Sequence, residues 1–383
     1  MKRILWAILM IAVSTNLPAP LFPVYQQQYG LNPLAITALF AVYAACLLPL
    51  LLVSGSLADR RGNKQVVAIG LLCAVLSAGC FLIAAGPVML YIARVLEGFA
   101  VGCFMGTSNA FLVENSKGNV QNALGYASMF NMFGFGFGPL LCGLIAQYIP
   151  FFSYQLPFLL LLIALLSALL MLLPIKSEKK PASTSAKRSR ISLGVPDENK
   201  QVFWFFIAPA AFLMLALNGV VISLVPTYVK TLFHTSNLSY SGVLLFIMLF
   251  GSGVAQLIRR PGRAEKRIQW GILFLILGTW GMIAAAPFSS IALLLLSMLL
   301  QALGTGWTFQ SALRMTGEIS TPENRSRIIS TFYVCAYSGM AFPTIGIGLL
   351  STLWDLNTAL FAFGILLTAA GAAVVIRSIR KKI

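Results

Sequence analysis

Charge is scarce in this chain, and carboxylates are scarcer still. Only 10% of its 383 residues are Asp, Glu, Lys or Arg, and just ten are acidic. A soluble domain carries about 25% charged residues, so most of this surface must meet something other than water. The single histidine, His234, cannot build a metal site alone. The six cysteines (Cys46, Cys73, Cys80, Cys103, Cys142, Cys335) fall inside apolar runs without metal-ligand spacing. They read as small packing residues, not as a disulfide framework. No nucleophile, metal or acid–base constellation of the kind an enzyme needs can be assembled from this set. Neither a cofactor nor a metal is expected.

What the chain has instead is long apolar runs. Hydrophobic residues make up 58% of it, and its mean hydropathy is +0.87. About twenty consecutive apolar residues cross a bilayer as a helix. On that criterion twelve spans are predicted, over 4–25, 34–57, 65–86, 88–113, 123–147, 155–174, 202–229, 239–258, 268–287, 289–315, 327–352 and 357–377. Met1-Lys2-Arg3 ahead of an apolar run could mimic a secretory signal, but eleven further spans make it the start of the first one. The formal net charge of +17 invites a nucleic-acid reading until its placement is followed. With the N-terminus inside, every Lys and Arg except Arg94 and Lys230 lies in a cytoplasmic segment. That is the positive-inside bias of a multi-pass protein, and it places both termini in the cytoplasm. The charge reports topology; no nucleic-acid partner is expected, and the lipid bilayer is.

The chain also repeats itself. Glu114 and Pro139 recur as Glu318 and Pro343, both offset by 204 residues. Gly98-Phe-Ala-Val-Gly102 recurs as Ala302-Leu-Gly-Thr-Gly306 at the same offset, and Pro23-Val-Tyr25 as Pro226-Thr-Tyr228 at 203. Two halves of six spans are therefore expected, 1–174 and 201–383. Between them, 175–200 is a basic cytoplasmic linker containing Lys179-Lys180-Pro181 and Lys187-Arg188-Ser189-Arg190. It either lies along the anionic inner leaflet or is a solvated tether.

The turn between spans 2 and 3 reads Gly55-Ser-Leu-Ala-Asp59-Arg60-Arg61-Gly62-Asn63-Lys64. Gly55 and Gly62 allow close helix approach and a sharp turn, and Asp59 sits at a helix end among cations. The stretch resembles the loop 2–3 signature of the major facilitator superfamily, with Asn63 where that family usually has arginine. The resemblance implies a 12-helix, all-α secondary transporter of two pseudo-symmetric halves. In the family, this aspartate and its basic neighbours form a cytoplasmic gate latch joined by an acid at the inner end of helix 4, here Glu114. Because Asn63 is neutral, Glu114 is expected to pair with Arg60, Arg61 or Lys64. The matching stretch of the second half carries Arg259 in the aspartate's place, so the acidic anchor lies in the N-terminal half.

In span 4, Arg94 and Glu97 are three residues apart and share one helical face. Ionisable groups at such depth are costly and usually face a water-filled cavity. Burial disfavours the charged form of Glu97 and Arg94 favours it. The segment resembles the family's motif B, whose arginine is associated with proton coupling. Glu97 replaces the usual glutamine, and the pair is either a proton-coupling element or a static, self-neutralised one. Gly98, Gly102 and Gly106 continue the helix at four-residue spacing, a strip for close packing. Span 5 reads Gly134-Phe-Gly136-Phe-Gly138-Pro139-Leu-Leu-Cys142-Gly143, and resembles the family's antiporter motif through Gly134, Gly138, Pro139 and Gly143. Its proline bends the helix while its glycines admit a neighbour.

By the same resemblance, helices 1, 4, 7 and 10 line a central substrate cavity. Its candidate residues are Asn16 and Tyr25, Asn109, Asn218 and Tyr228, then Gln301, Trp307 and Gln310, with Asn131 from helix 5. Each could instead make an interhelical hydrogen bond. The reading is proton-driven efflux of a small, fairly apolar or zwitterionic organic compound by a monomer in the bacterial inner membrane; its partners are that small-molecule substrate and protons. An importer or facilitator on the same fold is the alternative. As a test of topology, a cysteine placed at Ser183 in a background lacking native cysteines should react with an impermeant maleimide only after the membrane is opened. Labelling in intact cells would reverse the orientation.

Overall fold

Lipid offers no hydrogen-bond partner to a backbone N–H or C=O, so an apolar run entering it must bond within itself as a helix. The computed structural model describes residues 1–116, 120–175, 193–195, 197–232, 235–258, 263–321 and 324–380, whose regular elements are all helical. His234, Lys117, Arg259 and most of the 175–200 linker lie outside the described residues.

Among the described residues twelve long helices follow in order, one for each predicted span. They are α1 (Lys2–Tyr29), α2 (Pro33–Arg61), α3 (Asn63–Ile83), α4 (Pro87–Glu114), α5 (Val120–Tyr148) and α6 (Leu156–Leu172). Then come α7 (Lys200–Thr231), α8 (Leu238–Leu257), α9 (Ala264–Ala285), α10 (Ile291–Glu318), α11 (Arg325–Leu353) and α12 (Leu356–Arg380). All but α6 are long and apolar enough to cross a membrane, and α6 is a shorter apolar helix of 17 residues. Several helices run past their predicted ends, α2 through Arg61 and α10 through Glu318, the repeat-mate of Glu114. A helix continues to satisfy its backbone where polar side chains begin. Two irregularities break the regular winding. Pro18 and Pro20 bring no N–H to the carbonyls four residues earlier, and α1 tightens there into a 3₁₀ turn at Ala19–Leu21. Near its start α7 widens into a π-turn at Phe203–Ile207.

Apolar side chains remain on the outside. On α6, Leu159, Ile163, Leu166 and Leu170 recur every three or four residues and all are exposed, a stripe suited to acyl chains and to nothing aqueous. Burial separates the helices into two groups. The apolar windows of α1 and α7 are 89% and 78% buried and those of α4 and α10 56%, whereas the other long spans reach only 39–44%. These four are the most enclosed of the eleven long apolar spans.

The chain divides into two compact units, Met1–Leu21 with Val42–Ile191, and Phe22–Ala41 with Ser192–Ile383. Within the first, α4 lies against α2 through its glycine strip. A Cβ on Gly102 would stand 2.6 Å from the Leu47 carbonyl oxygen and 2.8 Å from the Leu50 Cβ, and one on Gly106 would overlap the Ser54 hydroxyl. Within the second unit, Gly306 of α10 meets the Ser252 carbonyl of α8 in the same way. The contact of Gly70 on α3 with the Ala100 carbonyl of α4 recurs as that of Gly271 on α9 with the Gly304 carbonyl of α10. The sequence repeat is therefore also a repeat of backbone-to-backbone contacts.

Gly102→Leu should force α2 and α4 apart and cost about 1–3 kcal/mol, as overpacking does. Gly79→Ala, at a position where an added Cβ meets nothing within 4 Å, should stay within about 1 kcal/mol of the parent. Thermal unfolding in detergent distinguishes the two. Equal, small effects would mean that the α2–α4 contact is not tight.

Candidate functional site

The turn joining α2 to α3 needs its second glycine for a conformational reason. Gly62 has φ +90°, a region other residues rarely enter. Its N–H donates to the Ala58 carbonyl at 2.7 Å, closing α2. Gly55 differs from expectation: it is exposed and an added Cβ would meet nothing within 4 Å. It allows no close approach in this unit, because α4 contacts α2 through Gly98, Gly102 and Gly106 on another face.

The partner of Glu114 is also not the expected one. Its carboxylate Oε1 accepts a 2.7 Å hydrogen bond from the side-chain amide of Asn63. The neutral residue that replaces the family's arginine keeps a donor in the right place, and so ties the C-terminal end of α4 to the start of α3. Lys64 turns away and donates to the Leu173 carbonyl at 2.8 Å, satisfying a free carbonyl at the end of α6. Asp59, Arg60 and Arg61 are all exposed. The motif therefore splits into a part bonded inside its own unit and a part presented outward.

Arg94 and Glu97 form a buried ion pair within the first unit. Arg94 is 0% and Glu97 1% exposed, and Arg94 Nη1 donates to Glu97 Oε2 at 2.6 Å. The same nitrogen donates to the Thr15 carbonyl of α1 at 3.3 Å, beside the proline-induced break. The guanidinium carbon lies 5.7 Å from the centre of the Tyr43 ring on α2 and 6.0 Å from that of Phe81 on α3, within cation–π range. Residues of all four helices α1–α4 thus surround the pair. The spacing in the sequence pointed to the pair itself. The Thr15 carbonyl and the two rings carried no signal, since they depend on how α1, α2 and α3 are rotated toward α4.

Next to this centre, α5 packs on α1. A Cβ on Gly134 would come within 2.8 Å of the Leu9 carbonyl and press on Ala12, and one on Gly138 would overlap the Val13 carbonyl. Pro139 lies inside the helix directly after this contact, and Gly143 is buried one turn on.

The cavity candidates fall in both units. In the first, Asn16 is buried, Asn131 half-buried and Asn109 exposed. In the second, Tyr25 is buried and stacks on Tyr29, their ring centres 6.3 Å apart. Asn218 of α7 accepts a 3.1 Å hydrogen bond from Thr305 of α10. Trp307 is buried, with Phe274 at 5.4 Å and the Arg267 guanidinium at 5.9 Å, and Gln310 is half-buried. Tyr228 and Gln301 likewise sit in helix–helix seams: the Tyr228 hydroxyl donates to the Met282 carbonyl of α9, and Gln301, fully buried, packs on Gly278 of α9. Helical rotation turns both toward α9.

A family model described as Major Facilitator Superfamily matches residues 4–298. Quinolone resistance protein NorA of Staphylococcus aureus (strain MRSA252) is 24% identical over 250 residues, covering 64% of this chain and 61% of NorA. Multidrug resistance protein 1 of Bacillus subtilis (strain 168) is 25% identical over 265 residues, covering 67% of this chain and 64% of that protein. The chain thus spans about three fifths of the length of these curated relatives. Among solved structures, the nucleoside transporter NupG superposes with a TM-score of 0.81 at 15% identity, over 98% of both chains. A peptide transporter POT gives 0.81 at 14% identity, over 99% of this chain and 94% of the other. At such identities the likeness is one of fold: all-α, with the helices of a major facilitator transporter.

Proposed function

Since the chain belongs to the Major Facilitator Superfamily, and is thereby a multi-pass membrane transporter, we propose that it exports a small, fairly apolar or zwitterionic organic compound in exchange for protons. The observation that carries this reading is the buried Arg94–Glu97 pair, 2.6 Å apart and enclosed by four helices. A carboxylate at such depth is stable beside its cation, and neutral if protonated, so it can alternate between two states that differ by one proton. Export driven by proton influx needs Glu97 protonated while substrate leaves outward, and deprotonated toward the cytoplasm before substrate binds again. A change in hydration around the pair between two conformations supplies the swing in affinity.

Other features support the same reading. The packing of Gly134 and Gly138 on α1 fits the role of the antiporter motif, and the two curated relatives are named for drug resistance. The halves 1–174 and 201–383 are the bodies that move, with 175–200 as their cytoplasmic tether. Asp59, Arg60 and Arg61, exposed and left over once Asn63 has taken Glu114, are the part of the motif free to latch the cytoplasmic side.

A susceptibility screen with apolar and zwitterionic antibacterial compounds supplies a substrate, whose uptake is then followed in everted vesicles. Uptake should require an acid interior and collapse on addition of nigericin. Glu97→Gln, at matched expression, should bind the compound but fail to accumulate it. Gradient-driven accumulation by Glu97→Gln equal to that of the parent would remove Glu97 from the coupling step. Uptake indifferent to nigericin would favour the facilitator.

A further inference from the structure

Lys230 is one of the two cations that topology leaves unexplained, and unlike Arg94 it has no carboxylate beside it among the described residues. It lies at the end of α7 remote from Lys200, which is the outer end on the positive-inside reading. There it borders a cavity of about 400 Å³ whose lining residues all belong to the second unit. That volume falls in the range of small-molecule pockets.

The cavity has the composition of a binding site for one kind of ligand. Pro23, Pro33 and Leu224 give it apolar walls, and its polar lining consists of Gln26, Gln27, Thr227, Lys230, Thr231 and Ser351. Lys230 is the one charged residue of that lining. Its ammonium donates to Gln27 Oε1 at 2.9 Å, which uses one of three N–H donors. Thr227 donates to Gln26 Oε1 at 2.8 Å, a bond that orients the Gln26 amide. On the α11 side, Ser351 is 7% exposed and its hydroxyl has no hydrogen-bond partner. A buried hydroxyl without a partner is costly, and Ser351 is one of the residues that line the cavity. The acid next in sequence to the lining residue Leu356 is Asp355, whose carboxylate accepts from the Thr358 N–H at 2.9 Å and its hydroxyl at 2.5 Å. Those bonds hold its carboxyl below the usual carboxylate range and commit it to capping α12.

We propose that this cavity is an outer-face binding site for a small organic carboxylate, held by the Lys230 ammonium and the Ser351 hydroxyl with its apolar body against Pro23 and Leu224. Amide and hydroxyl donors around one cation, with no acid in the lining, select an anionic head over a cationic one. The proline and leucine walls favour a ligand with an apolar ring or chain over a bare inorganic anion. A phosphate-headed lipid would share the charge but bring two acyl chains that a cavity of this volume does not accommodate.

The test uses the full chain, reconstituted in nanodiscs of phosphatidylcholine so that no anionic lipid competes. The probes are benzoate and its neutral isostere benzamide, measured by saturation-transfer NMR and calorimetry. Benzoate should bind, and benzamide should bind about tenfold more weakly or not at all. Lys230→Gln and Ser351→Ala should each weaken benzoate by about tenfold, while Lys230→Arg, which keeps the charge, should retain most of the affinity and show that the site is still folded. Absence of benzoate binding to the parent, or equal binding by Lys230→Gln, would overturn the proposal. So would loss of benzoate binding in nanodiscs containing phosphatidylglycerol, which would make the cavity a lipid headgroup site. Because binding is read without flux, failure of proton-coupled export would leave this result standing, and the reverse holds too.

Discussion

The hydrocarbon core of a membrane removes the hydrophobic drive that packs helices together in water, and that constraint shapes this protein more than any single contact. Leucine gains nothing by leaving lipid for another leucine, so association rests on how closely two backbones can approach. Gly98, Gly102 and Gly106 on α4, and Gly134 and Gly138 on α5, provide that approach by bringing carbonyls of α2 and α1 where a side chain would otherwise lie. Gly306 and Gly304 perform the same task in the second unit. Apolar residues are then free to face outward, as the exposed stripe on α6 does. The tight contacts also bring α1, α2 and α3 near enough to enclose Arg94.

A buried ion pair in such a setting is a stake in conformation. Breaking it by removing one partner leaves an uncompensated charge in an apolar site, which is far costlier than the pair itself is stabilising. The Thr15 carbonyl and the Tyr43 and Phe81 rings reduce that cost for the arginine. Glu97 has a second route, protonation, that Arg94 lacks. The asymmetry between the partners is what turns a structural pair into a candidate coupling element. In the second half the repeat-equivalent positions are Met298 and Gln301, neither of which titrates, so the pair itself has no ionisable counterpart there.

Much of this architecture was legible because it follows from composition and period. Twelve apolar runs became twelve helices, and an offset of 204 residues became a repeated set of glycine contacts, since both follow from what each helix must do alone in lipid. Features that depend on the rotation of one helix against another were not legible. Tyr228 and Gln301 turn toward α9, Gly55 faces open space, and Glu114 is held by Asn63 and by none of the three cations expected for it. That last case held a usable signal: an asparagine in an arginine's place loses the charge but keeps the N–H donors. The cavity beside Lys230 had only the weak sign of a cation standing apart from the basic segments.

The central claim is that Glu97 exchanges a proton while remaining inside the membrane. Its most direct test needs no substrate: pH-difference infrared spectra of the reconstituted protein, compared with those of Glu97→Gln. The account predicts a protonated-carboxyl band that grows as pH falls, disappears when pH is restored, and is missing from Glu97→Gln. A parent protein whose spectra match those of Glu97→Gln at every pH would make the pair static and contradict the account.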